Sequence, residues 1–95
     1  MDIAGWRKQI DKLDRKLVEM LNRRARAAQE IGRLKRHTEM PIYEPNREKI
    51  ILQNIRNANR GPFPQADMQD VFQRIIAVMR HLQREKIGRR KKAGN

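Results

Sequence analysis

Between residues 3 and 34 apolar side chains return on a seven-residue repeat: Ile3, Trp6, Ile10, Leu13, Leu17, Met20, Ala27, Ile31 and Leu34. Such a repeat puts them on one stripe of a single long helix. A helix of some thirty residues is about 45–50 Å long at ~1.5 Å per residue. The whole chain has 95 residues, enough for one domain only about 30–35 Å across. The first helix must therefore overhang its own domain and leave part of its apolar seam bare. A second copy of the chain is the simplest cover, so the sequence predicts an obligate homodimer.

The rest of the chain also reads as helix, with no strand-like alternation. Helix one is expected from about Ile3 to His37, with Gly32 inside it as a place where another backbone could approach. Thr38 to Pro45 forms a loop bracketed by Pro41 and Pro45. Helix two starts near Pro45 or Asn46, since proline suits a first helical turn, and carries Ile51, Leu52 and Ile55. Asn59-Arg60-Gly61-Pro62 stops it. Helix three is expected from Pro64 or Gln65 to Lys86, with Met68, Val71, Phe72, Ile75, Ile76, Met79 and Leu82 on its apolar face. The expectation is an all-α domain over residues 1–87, three helices per chain in a homodimer, followed by a basic, disordered tail over 88–95.

Composition removes several kinds of chemistry. The chain has no cysteine and no serine, so disulfides, thiol catalysis and serine triads are excluded. His37 and His81 stand far apart without metal-like partners and read as surface residues. No stretch approaches the ~18 apolar residues of a membrane span, and the start of the chain is charged rather than signal-like; a soluble, cytoplasmic protein is the expectation. The net charge is +12. That field attracts anions of any kind, from nucleic acid to small carboxylates. No helix-turn-helix pattern or set of stacking aromatics accompanies it, so nucleic acid is not the expected main partner.

Charged and amide residues interrupt the apolar faces, and these are the candidate site. Arg24 occupies a seam position of helix one. Arginine does not give up its proton, and burying it unpaired is costly, so an anion should meet it. A carboxylate of the protein, or a head that snorkels to water, is the plain alternative. Lys35 comes eleven residues later, just over three turns, on nearly the same face. Arg7 lies seventeen residues before Arg24, about 25 Å along the helix, so one chain cannot bring both to one small molecule. Antiparallel pairing of two first helices would bring Arg7 of one protomer to Arg24 or Lys35 of the other. Glu48 continues the stripe of helix two as a carboxylate, although the helix dipole alone favours a first-turn glutamate. Glu44 sits where it could cap that helix, and Arg47 could pair with either glutamate or reach a ligand. Gln83 shares the face of Phe72, Ile76 and Met79, and a buried amide needs a partner.

This ordered set resembles the all-helical chorismate mutases over about residues 4–84. The resemblance is carried by Trp-Arg-Lys-Gln-Ile-Asp-Lys-Leu-Asp (6–14), Leu-Asn-Arg-Arg-Ala (21–25), Glu-Ile-Gly-Arg-Leu-Lys (30–35), Pro-Ile-Tyr-Glu-Pro-Asn-Arg-Glu (41–48), Gly-Pro-Phe (61–63), Phe-Gln-Arg-Ile-Ile (72–76) and Leu82-Gln83. It implies an intertwined dimer with two active sites. The implied reaction is the pericyclic rearrangement of chorismate, a dianion, to prephenate, with no cofactor or metal. It implies that Arg24, and Arg7 from the partner chain, bind the two substrate carboxylates. Lys35 would contact a carboxylate and the ether oxygen of the breaking bond, and Gln83 would donate to that oxygen. Glu48 would accept from the ring hydroxyl with the backbone of Glu44 assisting, and Arg47 would organise that end of the pocket. Met79 departs from the pattern: relatives often carry a small hydroxyl residue there, and methionine cannot donate the corresponding bond. Two alternatives stay open. An isochorismate-pyruvate lyase uses a similar cationic pocket on the same fold, and small mutases also serve as regulatory partners of the first enzyme of the shikimate pathway.

Overall fold

The structure, a computed structural model, describes residues 1–93, with side chains through Gly88. Among the described residues there are three helices and no strand: α1 (Ile3–Lys35), α2 (Pro45–Ala58) and α3 (Gln65–Ala93). Asp2 caps α1, its Oδ1 accepting from the backbone N–H of Gly5 at 2.8 Å, which satisfies one of the orphan donors of a helix start. Pro45 opens α2. The α2–α3 turn is knit by side chains: Asn59 Nδ2 donates to the Phe63 carbonyl at 2.9 Å, and Gln65 Nε2 donates to the Arg56 carbonyl at 3.0 Å. Gly61 takes φ +73° within it, a conformation that costs glycine nothing.

α3 is the central element and packs against both α1 and α2. Along α2 the pairing is antiparallel. Glu48 near its start meets Arg80, and Arg56 near its end meets Gln65. Against α1, Lys35 meets Gln83, and Gly32, one turn back, lies against Gln83 and Lys86. The buried face of α1 is thus Ala28, Gly32 and Lys35. Ala27, Ile31 and Leu34 from the heptad stripe lie one step around the helix, where they line a cavity.

The overhang inferred from helix length is present. No residue from Ile3 to Arg23 is buried, and Trp6 and Leu17 are 58% and 59% exposed. The molecule is 62 Å along its longest axis with a radius of gyration of 17.1 Å, against about 12 Å for a compact chain of this length.

The end of α3 differs from expectation. The helix does not stop at Lys86 but continues to Ala93, so most of the segment expected as a disordered tail is helical. Ile87 explains part of this: it lies four residues after Gln83 on the same face and is 1% exposed. The lysines and arginines that follow are themselves good helix formers. Residues 94 and 95, the end of that expected tail, lie outside the described residues.

Candidate active site

Where the end of α1, the 36–44 loop, the start of α2 and the middle of α3 converge, they enclose a cavity of about 550 Å³. Its apolar walls come from Ala27, Ala28, Ile31 and Leu34 of α1, Ile42 of the loop, Ile51 of α2, and Ile76 and Met79 of α3. Set into these walls are Arg24, Lys35, Glu44, Arg47, Glu48, Arg80 and Gln83. Seven of the eight residues singled out from sequence therefore meet around one space. The exception is Arg7, which is exposed and does not line it.

Among the described side chains Lys35 is the most buried charge, at 5% exposure. Its Nζ donates to Gln83 Oε1 at 3.0 Å and lies 2.6 Å from Glu44 Oε1. An ammonium only donates, so the contact fixes the Gln83 amide with its oxygen on Lys35 and leaves its NH₂ to serve as a donor. Glu44 stands at the N-cap position of α2, but its side chain caps nothing. Lys35 takes the carboxylate instead, which is the stronger, charge-assisted interaction. The loop is held beside this group by Thr38, whose Oγ1 donates to the Lys35 carbonyl at 3.0 Å and accepts from the Met40 N–H.

Arg24 is half-buried. Among the described residues it has no carboxylate at ion-pair distance. Its pKa is lowered, first by burial and then by the nearby Arg47 guanidinium. Both effects disfavour the charge that Arg24 nonetheless carries, so the pair is poised to receive an anion. Arg47 makes no ion pair with Glu44 or Glu48; those carboxylates are taken by Lys35 and Arg80. Met79 is buried in the wall and offers no donor.

Arg80 is the charged lining residue that sequence reasoning misses. Its Nε lies 3.1 Å from Glu48 Oε2, and its guanidinium lies 5.3 Å from the centre of the Tyr43 ring. The signal that singles out Gln83 applies to Arg80 as well, since it follows Ile76 by four residues and precedes Gln83 by three. The cavity thus carries four cations and two carboxylates, an excess of two positive charges over an apolar floor. Such a space fits a small dianion with an apolar body.

An all-helical domain with a cationic cavity of this kind defines a class of small-anion sites; sequence comparison narrows it. Residues 6–84 match the chorismate mutase type II family, and the chain belongs to that family. It is 34% identical over 88 residues to the bifunctional chorismate mutase/prephenate dehydratase of Aquifex aeolicus, covering 88% of this chain and 24% of that one. It is 35% identical over 54 residues to the chorismate mutase of Methanocaldococcus jannaschii, covering 57% of this chain and 54% of that one. Among solved structures it is similar to chorismate mutase (form II) from Thermus thermophilus, with a TM-score of 0.82 and 34% identity over 85% of this chain and 92% of that one. The chain thus spans about a quarter of the bifunctional relative and nearly all of the solved one. Among the described residues no helix is long and apolar enough to cross a membrane.

Proposed function

We propose that the protein rearranges chorismate to prephenate. The observation that carries this reading is the convergence of Arg24, Lys35, Arg47 and Gln83 with Glu48 on one apolar cavity. Chorismate is a flexible dianion whose enolpyruvyl arm must fold over its ring before the new carbon–carbon bond can form. Cations fixed at both carboxylates hold that near-attack shape and supply the entropy that a free molecule would have to lose. As the ether C–O bond breaks, negative charge gathers on its oxygen. Lys35 and the NH₂ of Gln83, already tied together, donate to that oxygen most strongly in the transition state, which is how a binding interaction becomes a rate. Glu48 accepts from the ring hydroxyl, and Met79 contributes wall rather than a hydrogen bond. The reaction is unimolecular, and no side chain forms a covalent bond to the substrate.

The second carboxylate requires Arg7 of a partner protomer. The bare seam from Ile3 to Met20 supports an antiparallel homodimer, which would bury this stripe and carry Arg7 toward the partner's cavity. Membership of this family supports a cytoplasmic enzyme. The bifunctional relatives couple a mutase with a further enzyme, which supports a pathway-enzyme partner as a second role for this domain.

The test is chorismate disappearance with prephenate identified as product, beside Arg24→Ala. Prephenate formation that collapses in the variant is expected. A folded wild-type protein that instead releases pyruvate from isochorismate would establish the lyase.

A further inference from the structure

We propose that Arg80 is a positioning residue for Glu48. It holds that carboxylate in place and offsets its charge, so that Glu48 can accept a hydrogen bond from the ring hydroxyl beside a dianion; this rests on the mutase reading above. A carboxylate in a cavity meant for a dianion repels its ligand unless it is compensated. Glu48 is largely buried and, among the described residues, has one cation at ion-pair distance, Arg80, at 3.1 Å. The Arg80 Nε is itself buried and makes no hydrogen bond, because Glu48 Oε2 lies close to it but off the N–H direction. A small rotation of either side chain completes that bond, which relieves an expensive unsatisfied donor. It would occupy Oε2 and leave Oε1 to meet the substrate.

Arg80 is held for this task from the other side. The Tyr43 ring lies 5.3 Å from the guanidinium carbon, a cation–π distance, and Tyr43 belongs to the loop that also supplies Glu44. One side chain of α3 thus ties the loop to the first turn of α2 at the rim of the cavity. Its planar, permanently charged head suits a role between a ring and a carboxylate better than an ammonium would.

The experiment is a double-mutant cycle on the full chain with Arg80→Leu, Glu48→Gln and the double variant, plus Arg80→Lys. Arg80→Leu should lower kcat/KM about tenfold, and Arg80→Lys should recover part of that loss. In the Glu48→Gln background, Arg80→Leu should change kcat/KM by no more than about twofold, because the residue it served is gone. An equal loss in both backgrounds, or no loss in the first, overturns the proposal; a general effect on folding would also persist in the second. The Arg80 Nε–H resonance in a ¹⁵N spectrum reads the pair without turnover. It should move in Glu48→Gln, and a resonance that stays put overturns the pairing. A wild-type protein that turns over no chorismate, with that resonance still responding, would refute the mutase reading and leave the Arg80–Glu48 pair standing.

Discussion

Replacing Gly32 with alanine tests how the cavity is built. A Cβ at this position would lie 2.8 Å from Gln83 Cα, 2.9 Å from the Gln83 carbonyl oxygen and 3.1 Å from Lys86 Cβ. Carbon atoms in contact prefer about 3.5–4.0 Å, so α3 must retreat from α1 by roughly 0.7–1.2 Å. Two of the three obstructing atoms are backbone, and no rotamer change removes them. The Lys35–Gln83 bond, now 3.0 Å, would stretch past ~3.5 Å, beyond a useful hydrogen bond. Two opposing terms set stability. Alanine gains about 1 kcal/mol of helix propensity over glycine, and overpacking costs about 1–3 kcal/mol. The net is a loss of about 0–2 kcal/mol, readable by urea denaturation. The effect on turnover should be larger, because both groups proposed to face the ether oxygen lose their mutual register. Full removal of one such donor costs about 10²–10³ in rate, and partial displacement should cost roughly ten- to a hundredfold in kcat. Circular dichroism should show helicity intact. A Gly32→Ala protein that is about 1 kcal/mol more stable, as propensity alone dictates, and turns over at the wild-type rate would refute the argument that this contact sets the site.

Other substitutions probe separate parts of the reading. Gln83→Glu should make the rate fall as pH rises, because only a protonated carboxyl can donate to the ether oxygen; Lys35 beside it favours the ionised form, so activity should survive only toward acid pH, and a flat profile would remove Gln83 from that contact. Arg7→Ala and Arg24→Ala should each be nearly inactive alone, yet mixing and re-equilibrating them should restore about a quarter of the activity, since half the dimers are mixed and each mixed dimer rebuilds one intact pocket; no recovery would sink the shared site. Leu13→Glu should shift the protein toward monomer in sedimentation velocity, and an unchanged mass would mean that the seam is not the interface. Ile87→Ala should destabilise by about 2–5 kcal/mol, whereas a chain ended after Gly88 should keep its kcat at saturating substrate.

Helical periodicity reveals which residues share a face, and the chain is legible to that extent. The overhang of α1 and the gathering of Arg24, Lys35, Glu48, Met79 and Gln83 follow from residues three, four, seven or eleven apart, and the ends of α2 from Pro45 and the Asn59–Pro62 stop. Periodicity does not reveal which tip a long side chain will reach for. Glu44 stands at a helix start, where capping and the dipole would both use it, but an ammonium 2.6 Å away outcompetes a backbone N–H. Arg47 has the same two carboxylates within its sequence neighbourhood and finds both taken. Arg80 and Ile87 escape sequence reading for a different reason. The stripe of α3, followed along its apolar members, ends at Leu82, although steps of four from Ile76 pass through Arg80 and, from Gln83, reach Ile87. An arginine on that path reads as an edge residue unless its partners are known. Its partners are Tyr43 and Glu48, 37 and 32 positions away in the chain. Such a pairing is set by how α2 folds back on α3, and no local pattern encodes it. What the pattern does carry is the sign of the site. Arg24, Lys35 and Arg47 beside Glu44 and Glu48 already favour an anion before any of them is assigned a partner, and the structure adds Arg80 as a fourth cation around the same space.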